Sequence, residues 1–174
     1  AVAEHTVALM FALAKRLAEA DRFARTGKYQ GWEPELLIGS ELAGKTVGIV
    51  GLGRIGSGVA QRCNCMGLSV VYNDLKPNPE FEKQFGATYL PLPRLLKQAD
   101  FVSLHAPLLP STRHLIGAKE LKMMKSTAYL INTSRGPIVD EKALAAALKR
   151  KQIRGASLDV FEFEPRITPA LLKL

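Results

Sequence analysis

The first 28 residues show the alternation of hydrophobic and polar positions that is typical of an amphipathic helix. Apolar side chains recur at spacings of three and four residues, and the charged side chains fall largely between them. The pattern predicts one long helix over residues 1–28, which Gly27 ends. The next segment, Tyr29–Leu42, has the glycine and proline content of a loop, and Trp32 is predicted to anchor that loop by packing.

From Lys45 onward, short apolar runs alternate with segments of helical periodicity. Six strands are predicted, at Thr46–Val50, Leu68–Asn73, Ala87–Leu90, Asp100–His105, Ala128–Asn132 and Gly155–Leu158. Helices are predicted at Arg54–Met66, Pro93–Gln98, Lys119–Met124 and Glu141–Lys149, with a further short helix after Pro79. This alternation predicts an α/β fold: a Rossmann-type doubly wound parallel sheet over residues 45–174, preceded by the long N-terminal helix.

A glycine-rich turn follows the first predicted strand and opens the next helix. Gly51, Gly53 and Gly56 form the pattern G-x-G-x-x-G. In this context the first glycine permits the tight turn, the second lets a pyrophosphate approach the backbone, and the third lets helix and strand pack closely. The N–H groups at the start of the helix then face the anion. The turn therefore predicts a dinucleotide site, and a purely structural turn is the alternative.

An acidic residue at the end of the second strand selects between the two nicotinamide dinucleotides. Asp74 lies eighteen residues after Gly56, where a carboxylate hydrogen-bonds the adenosine ribose hydroxyls. The same carboxylate would repel a 2′-phosphate, so NAD is predicted and NADP is less favoured. Lys76, two residues further on, is the feature that keeps NADP open.

A second group of charged residues is predicted at the same edge of the sheet. Arg135 follows the predicted strand that ends at Asn132, and three acids follow the last strand: Asp159, Glu162 and Glu164. Ligands of open α/β sheets bind at this carboxyl edge. An arginine and carboxylates beside a dinucleotide therefore indicate a reaction site, with a surface salt bridge as the alternative.

Composition narrows the class of protein. The chain has 174 residues, 47% of them hydrophobic and 23% charged, which suits one globular domain. The net charge of +8 is spread over residues 45–174 and is not interleaved with aromatic residues. Its densest run, Lys149–Lys151, closes a predicted helix, where cations are favourable, so no nucleic-acid partner is expected; a phosphate-binding patch is the alternative. The apolar stretch at residues 1–14 is too short to span a bilayer, so no membrane association is expected.

Two cysteines, Cys63 and Cys65, exclude a disulfide scaffold and favour a reducing compartment, which predicts a cytoplasmic protein. Two residues apart on a helix, they lie about 200° apart around its axis. They cannot clamp one metal ion together, so no metal site is predicted. One buried and one exposed thiol are expected.

The sequence resembles the D-isomer-specific 2-hydroxyacid dehydrogenases, and the glyoxylate and hydroxypyruvate reductases most of all. The matching motifs are Val47–Gly56 (VGIVGLGRIG), Val102–Pro110 (VSLHAPLLP), Leu130–Asp140 (LINTSRGPIVD) and Leu158–Pro165 (LDVFEFEP), and the opening Ala1–Thr6 (AVAEHT) also matches. The resemblance implies an NAD-dependent oxidoreductase that transfers hydride between NADH and a 2-keto acid such as glyoxylate or hydroxypyruvate. It also implies a homodimer that uses the apolar face of residues 1–25.

The resemblance assigns roles to single residues. Arg135 matches the catalytic arginine that holds the substrate carboxylate and polarises its carbonyl. Glu164, rather than Glu162, matches the catalytic glutamate that pairs with a histidine and raises its pKa. Asp159 matches an aspartate near the nicotinamide carboxamide. The remaining positions that match cofactor contacts are Arg54 and Ile55 over the pyrophosphate, Ala106 and Pro107 beside the adenosine, and Thr133 and Ser134 near the nicotinamide ribose.

One departure from the family pattern concerns the catalytic histidine, which in the family lies in a Pro-His pair beyond the position of Leu174. His5 is expected to be a packed or interface residue, His105 to lie near the cofactor loop, and His114 to lie on a solvated turn. The chain is thus expected to be the NAD-binding domain, inactive alone, of a longer polypeptide whose substrate domain and histidine segment it lacks. The alternatives are an NAD-responsive corepressor-like binding module and a non-catalytic NAD sensor on the same fold.

Overall fold

A computed structural model describes residues 1–174 and contains one six-stranded parallel sheet. Its strands are β1 (Thr46–Val50), β2 (Ser69–Asn73), β3 (Thr88–Tyr89), β4 (Phe101–Leu104), β5 (Tyr129–Asn132) and β6 (Gly155–Leu158). The helices are α1 (Val2–Ala14), α2 (Leu17–Arg25), α3 (Arg54–Cys65), α4 (Pro79–Phe85), α5 (Leu92–Gln98), α6 (Ala118–Leu121) and α7 (Glu141–Lys149), with 3₁₀ turns at Gly136–Ile138 and Leu171–Lys173.

The strand order β3-β2-β1-β4-β5-β6 confirms the predicted doubly wound sheet. From β1 the chain first winds outward through β2 and β3, then returns to the other side of β1 through β4. The loops after β1 and β4 therefore diverge and leave a crevice at the carboxyl edge, where such folds bind ligands.

Two hydrophobic clusters of 17 buried residues each cover the two faces of the sheet. One cluster joins the sheet to α1 and α3, with Met10 and Val59 among its members. The other joins it to α5, α6 and α7, with Leu95 and Leu144 among its members. Covered on both faces, the central strands carry the continuous apolar runs from which they were predicted.

The N-terminal helix is not continuous, and the prediction of one helix over residues 1–28 is wrong. The helix ends at Ala14, Arg16 takes the left-handed conformation with φ 55°, and α2 begins at Leu17. The Ala14 carbonyl accepts a hydrogen bond of 2.6 Å from the Ser40 N–H instead of one from its own helix. Gly39 lies against the same carbonyl, since a Cβ there would be 2.4 Å from the oxygen. The returning loop therefore interrupts the helix. Gly27, with φ 67°, ends the helical region as predicted.

The prediction that Trp32 anchors the loop after α2 is also wrong, because 83% of this residue is exposed. Leu42, 5% exposed, is the loop residue that enters the core.

The two cysteines behave as predicted: Cys63 is buried and Cys65 is exposed, and burial raises the pKa of the Cys63 thiol to about 12. None of the helices combines the length and the hydropathy needed to cross a membrane.

Candidate cofactor-binding and catalytic site

The glycine turn after β1 is built so tightly that two of its glycines have no room for a side chain. Gly51 adopts φ 94° and donates to the Asn73 carbonyl at 2.8 Å. A Cβ on Gly51 would lie 2.7 Å from the Ala106 nitrogen, and one on Gly56 would lie 2.0 Å from the Gly51 oxygen. These two positions hold the turn between β2, β4 and the start of α3.

The middle glycine, Gly53, faces open space instead. No heavy atom lies within 4 Å of a Cβ built at this position. Gly53 is the N-cap of α3 and supplies no side-chain cap, so the first-turn N–H groups stay available to an anion. Arg54 and Ile55, at the start of the helix, are exposed, Ile55 by 41%. This open cradle, aimed by a helix N-terminus, fits the pyrophosphate of a dinucleotide.

Asp74 lies beside the glycine turn, at the end of β2. Its Oδ2 accepts from the Leu52 N–H and its Oδ1 from the Leu75 N–H, each at 2.7 Å. The carboxylate borders a groove of about 570 Å³ that runs from Leu52 to the loop after β2. Each carboxylate oxygen can accept a second hydrogen bond. A ribose with two free hydroxyls therefore fits this position, whereas a 2′-phosphate would meet a negative charge.

The loops after β4 and β5 are tied to each other. Ser134 Oγ donates to the Ala106 carbonyl at 2.6 Å, and Pro107, which follows, is exposed. Asn132 is fully buried at the end of β5: its Nδ2 donates to the Arg135 carbonyl at 3.0 Å and its Oδ1 accepts from the Ser134 N–H at 3.1 Å. Sequence reasoning did not single out Asn132 as a site residue. A polar residue closing a buried apolar strand was the signal available.

Arg135 is exposed at this edge of the sheet, and its Nη1 donates to the Ser134 carbonyl at 2.7 Å. The next residue, Gly136, is buried against the segment that follows β6. A Cβ on Gly136 would lie 2.0 Å from both the carbonyl carbon and the oxygen of Phe161. The segment that carries Arg135 therefore packs directly on the segment that carries the three acids.

The three acids have different surroundings. The side chain of Glu162 is 5% exposed and pairs with His114 Nε2 at 2.6 Å and Arg113 Nη2 at 3.3 Å. Asp159 is exposed and pairs with His5 Nε2 at 3.1 Å. Glu164 is also exposed, and its Oε1 accepts from the Phe161 N–H at 2.8 Å. Glu162 is thus committed to internal contacts, while Asp159 and Glu164 remain accessible.

The three histidines lie in three different environments, and His5 is the one that pairs with Asp159. His105, at the end of β4, contacts Ser103 Oγ at 2.8 Å, and burial lowers the pKa of its imidazole to about 4. His114 lies on an exposed turn, as predicted, and its side chain, 40% exposed, pairs with Glu162. No group of three or more His, Cys, Asp or Glu side chains is arranged to hold a metal ion.

Glu141 supports the candidate site, and no sequence pattern had identified it as a site residue. It opens α7, is 1% exposed, accepts from the Glu162 N–H at 2.6 Å and also accepts from the Thr168 hydroxyl. It therefore holds the segment after β6 on both sides of Glu164. No local pattern distinguishes it from an ordinary acid in the first turn of a helix.

Comparison with known proteins gives matches over the whole chain. The family model described as "D-isomer specific 2-hydroxyacid dehydrogenase, NAD binding domain" matches residues 7–174. A protein of Staphylococcus aureus strain MRSA252 that carries the name of a 2-hydroxyacid dehydrogenase is 49% identical over all 174 residues, which cover 55% of its length.

Two solved structures extend the likeness to the fold and the cofactor. A glyoxylate reductase from Paecilomyes thermophila has a TM-score of 0.90 and 38% identity, over 99% of this chain and 52% of the other. The NAD complex of a D-isomer-specific 2-hydroxyacid dehydrogenase from Lactobacillus delbrueckii has a TM-score of 0.83 and 43% identity, over 92% of this chain and 48% of the other.

The chain spans about half the length of the relatives it matches. Their names favour the oxidoreductase prediction over the corepressor and sensor alternatives. The glycine turn, the open cradle at Gly53 and the acid at Asp74 agree with the cofactor named by the family model and present in the Lactobacillus structure. The chain belongs to the D-isomer-specific 2-hydroxyacid dehydrogenase family, of which it represents the NAD-binding domain.

Proposed function

We propose that this domain serves an enzyme that reduces a 2-keto acid of the glyoxylate or hydroxypyruvate type to a 2-hydroxy acid with NADH. The observation that carries the proposal is the packing of Gly136 on the backbone of Phe161, which brings Arg135 and the acids after β6 to one edge of the sheet. That edge also holds the glycine turn. The likeness to a glyoxylate reductase supports the choice of a small 2-keto acid.

When bound, NADH supplies the hydride. Arg135 then binds the substrate carboxylate and polarises the adjacent carbonyl. A guanidinium suits this task because it is planar, stays charged and can donate two parallel hydrogen bonds. The bond from Nη1 to the Ser134 carbonyl orients the side chain and leaves Nη2 and Nε for the substrate.

Glu164 pairs with a histidine outside this chain, and a carboxylate beside an imidazole raises its pKa so that it can deliver a proton. The exposed position of the Glu164 carboxylate is compatible with such a partner. In this proposal the nicotinamide half of the cofactor is contacted by Asp159, Thr133 and Ser134. The residues proposed for the remainder of the cofactor are Gly51, Gly53, Arg54, Ile55, Gly56, Asp74, Ala106 and Pro107.

The whole enzyme is proposed to be a cytoplasmic homodimer that joins through α1. Met10 and Ala14 are buried on one side of α1, and on the opposite side Ala8 is exposed and Ala12 is only partly buried. Light scattering on the whole protein measures its mass, and a monomer would contradict the dimer. The isolated 174-residue chain is proposed to bind NADH without turning over substrate.

Steady-state assays of the whole enzyme test the proposed reaction. NADH oxidation is measured with glyoxylate, hydroxypyruvate and pyruvate as substrates. We expect Arg135→Lys to lower kcat/KM by about 100-fold, since lysine keeps the charge but loses the two-donor geometry. Arg150→Lys, at the exposed end of α7, is the matched control and should act as the wild type. The proposal would be contradicted if neither glyoxylate nor hydroxypyruvate supported NADH oxidation, or if the Arg135→Lys enzyme kept the wild-type kcat/KM.

A further inference from the structure

Two adjacent residues of α1 contact the ends of two neighbouring strands. His5 Nε2 lies 3.1 Å from Asp159 Oδ1, and Thr6 Oγ1 lies 2.8 Å from Thr133 Oγ1. Thr133 and Asp159 are the first residues after β5 and β6, whose last residues are paired in register. A single turn of α1 thus holds both of these strand ends.

The direction of the bond between the two threonines follows from their other contacts. Thr6 Oγ1 donates its only proton to the Val2 carbonyl at 2.9 Å. The proton shared with Thr133 must therefore come from Thr133, whose hydroxyl is oriented toward α1. Thr6 is fully buried and Thr133 is 8% exposed, so an unmatched hydroxyl here would be costly.

The contact between His5 and Asp159 holds one oxygen of a carboxylate. Both side chains are 48% exposed, and the imidazole occupies Oδ1 while Oδ2 has no partner in the protein. The helix that carries His5 is a firm support, because Met10 and Ala14 are fully buried in the core. The imidazole therefore limits the rotation of the Asp159 side chain without burying it.

We propose that His5 and Thr6 are positioning residues for the nicotinamide half of the cofactor. They act through Asp159 and Thr133, which they hold side by side at the carboxyl edge of the sheet. The inference rests on the proposed function, which assigns Asp159 and Thr133 to that half of NAD. The first turns of α1 then position cofactor contacts in addition to packing on the core and forming the proposed contact with a second subunit.

Comparison of a whole cofactor with its adenosine half tests this role on the 174-residue chain. NADH contains the nicotinamide half, whereas ADP carries only the adenosine and the two phosphates. We expect His5→Leu and Thr6→Val to weaken NADH binding by about threefold to tenfold, the effect of losing one hydrogen bond. Binding of ADP should stay at the wild-type value in both variants, because neither residue contacts the adenosine side.

Conservative variants give the second readout. In His5→Gln the amide nitrogen can reach the place of Nε2, and Thr6→Ser keeps the hydroxyl, so both should restore NADH affinity. Glu4→Gln removes the negative charge from the 3.0 Å pair between α1 and Arg62 without touching either strand end, and should bind both ligands normally.

Several outcomes would overturn the inference. Wild-type NADH affinity in both His5→Leu and Thr6→Val would do so, as would an equal loss of NADH and ADP binding, which would indicate a general loss of structure. If Thr6→Val does not fold, the NADH and ADP affinities of His5→Leu test the inference, because His5 is half-exposed and its substitution leaves the core intact. A wild-type chain that binds ADP but not NADH would refute the positioning role, and one that binds neither would refute the proposed function itself.

Discussion

At the scale of single residues, Asp74 shows how one side chain serves both the fold and the proposed site. Its two oxygens accept backbone N–H groups on either side of the turn after β2, which fixes the glycine turn relative to that strand. The same contacts hold the carboxylate at the border of the groove that suits the adenosine ribose. A substitution at Asp74 therefore changes the turn as well as the ligand contact. Asp74→Asn, which keeps one acceptor oxygen, loses the charge and one of the two turn contacts, whereas Asp74→Ala loses both contacts.

His105 gives the domain a pH-dependent stability. Burial lowers the pKa of its imidazole from the ordinary value of 6.5 to about 4. Between these two values the unfolded chain binds a proton that the folded chain does not, so stability is complete above the higher value and falls as the pH drops toward the lower one. We expect the free energy of unfolding to decrease by about 2 to 3 kcal/mol from this residue alone.

Urea unfolding at about pH 7 and about pH 4.5 measures this contribution. His105→Gln keeps a polar partner for Ser103 and has no group that titrates in this range. The variant should lose correspondingly less stability than the wild type between the two pH values. Equal losses in the two proteins would show that the imidazole does not carry the effect.

At the scale of elements, the turn between β1 and α3 predicts opposite results for two of its glycines. A Cβ at Gly56 would meet the Gly51 carbonyl, so we expect Gly56→Ala to destabilise the domain by about 3 kcal/mol. A Cβ at Gly53 meets nothing, and its φ of −71° suits any residue. Gly53→Ala should therefore change stability by less than about 1 kcal/mol but weaken NADH binding by about tenfold or more, because the methyl group enters the space left for the pyrophosphate.

Thermal unfolding and NADH titration of the two variants check this contrast, each serving as the other's control. A Gly53→Ala domain that binds NADH as tightly as the wild type would refute the cradle. A Gly56→Ala domain as stable as the wild type would refute the packing argument.

The elements predicted well are those whose causes are local in the sequence. The strand at Thr46–Val50 and the helix at Glu141–Lys149 were predicted with their observed bounds, because an apolar run and a helical period each identify an element within a few residues. The break at Arg16 was missed because its cause, the bond from Ser40 to Ala14, comes from a segment some 25 residues further along the chain. Trp32 was misjudged for a related reason: burial depends on which surface a loop crosses.

In the candidate site, too, the features with a local spacing could be predicted from the sequence, and the contacts between distant residues could not. The glycine turn and Asp74 could be proposed as cofactor contacts because a phosphate cradle and a ribose acid have fixed spacing along the chain, and these contacts remain predictions. The contacts of His5 with Asp159 and of Glu162 with His114 join residues 154 and 48 positions apart, and no spacing rule predicts them. The resemblance supplied the roles of Arg135 and Glu164, and these roles remain predictions.

At the scale of the whole molecule, the doubly wound order explains why the proposed cofactor and substrate residues share one edge. The carboxyl ends of all six parallel strands point the same way, and the break in winding between β1 and β4 opens a crevice there. The sheet ends at β6, whose residues are all only partly buried, in contrast to the fully buried β4 and β5. The segment after β6 carries Glu164, so the acid proposed to act in catalysis follows a strand that is less buried than its neighbours β4 and β5.

Calorimetric titration of the 174-residue chain with NADH and NADPH tests the central claim most directly. We expect one NADH per chain, NADPH binding at least about tenfold weaker, and an Asp74→Ala variant that loses NADH affinity by about tenfold or more while no longer discriminating between the two. Asp74→Asn should retain more of the affinity, and circular dichroism melts should show that each sample is folded. A folded wild-type chain that does not bind NADH, or that binds NADPH as tightly as NADH, would contradict the assignment of the glycine turn and Asp74 to NAD.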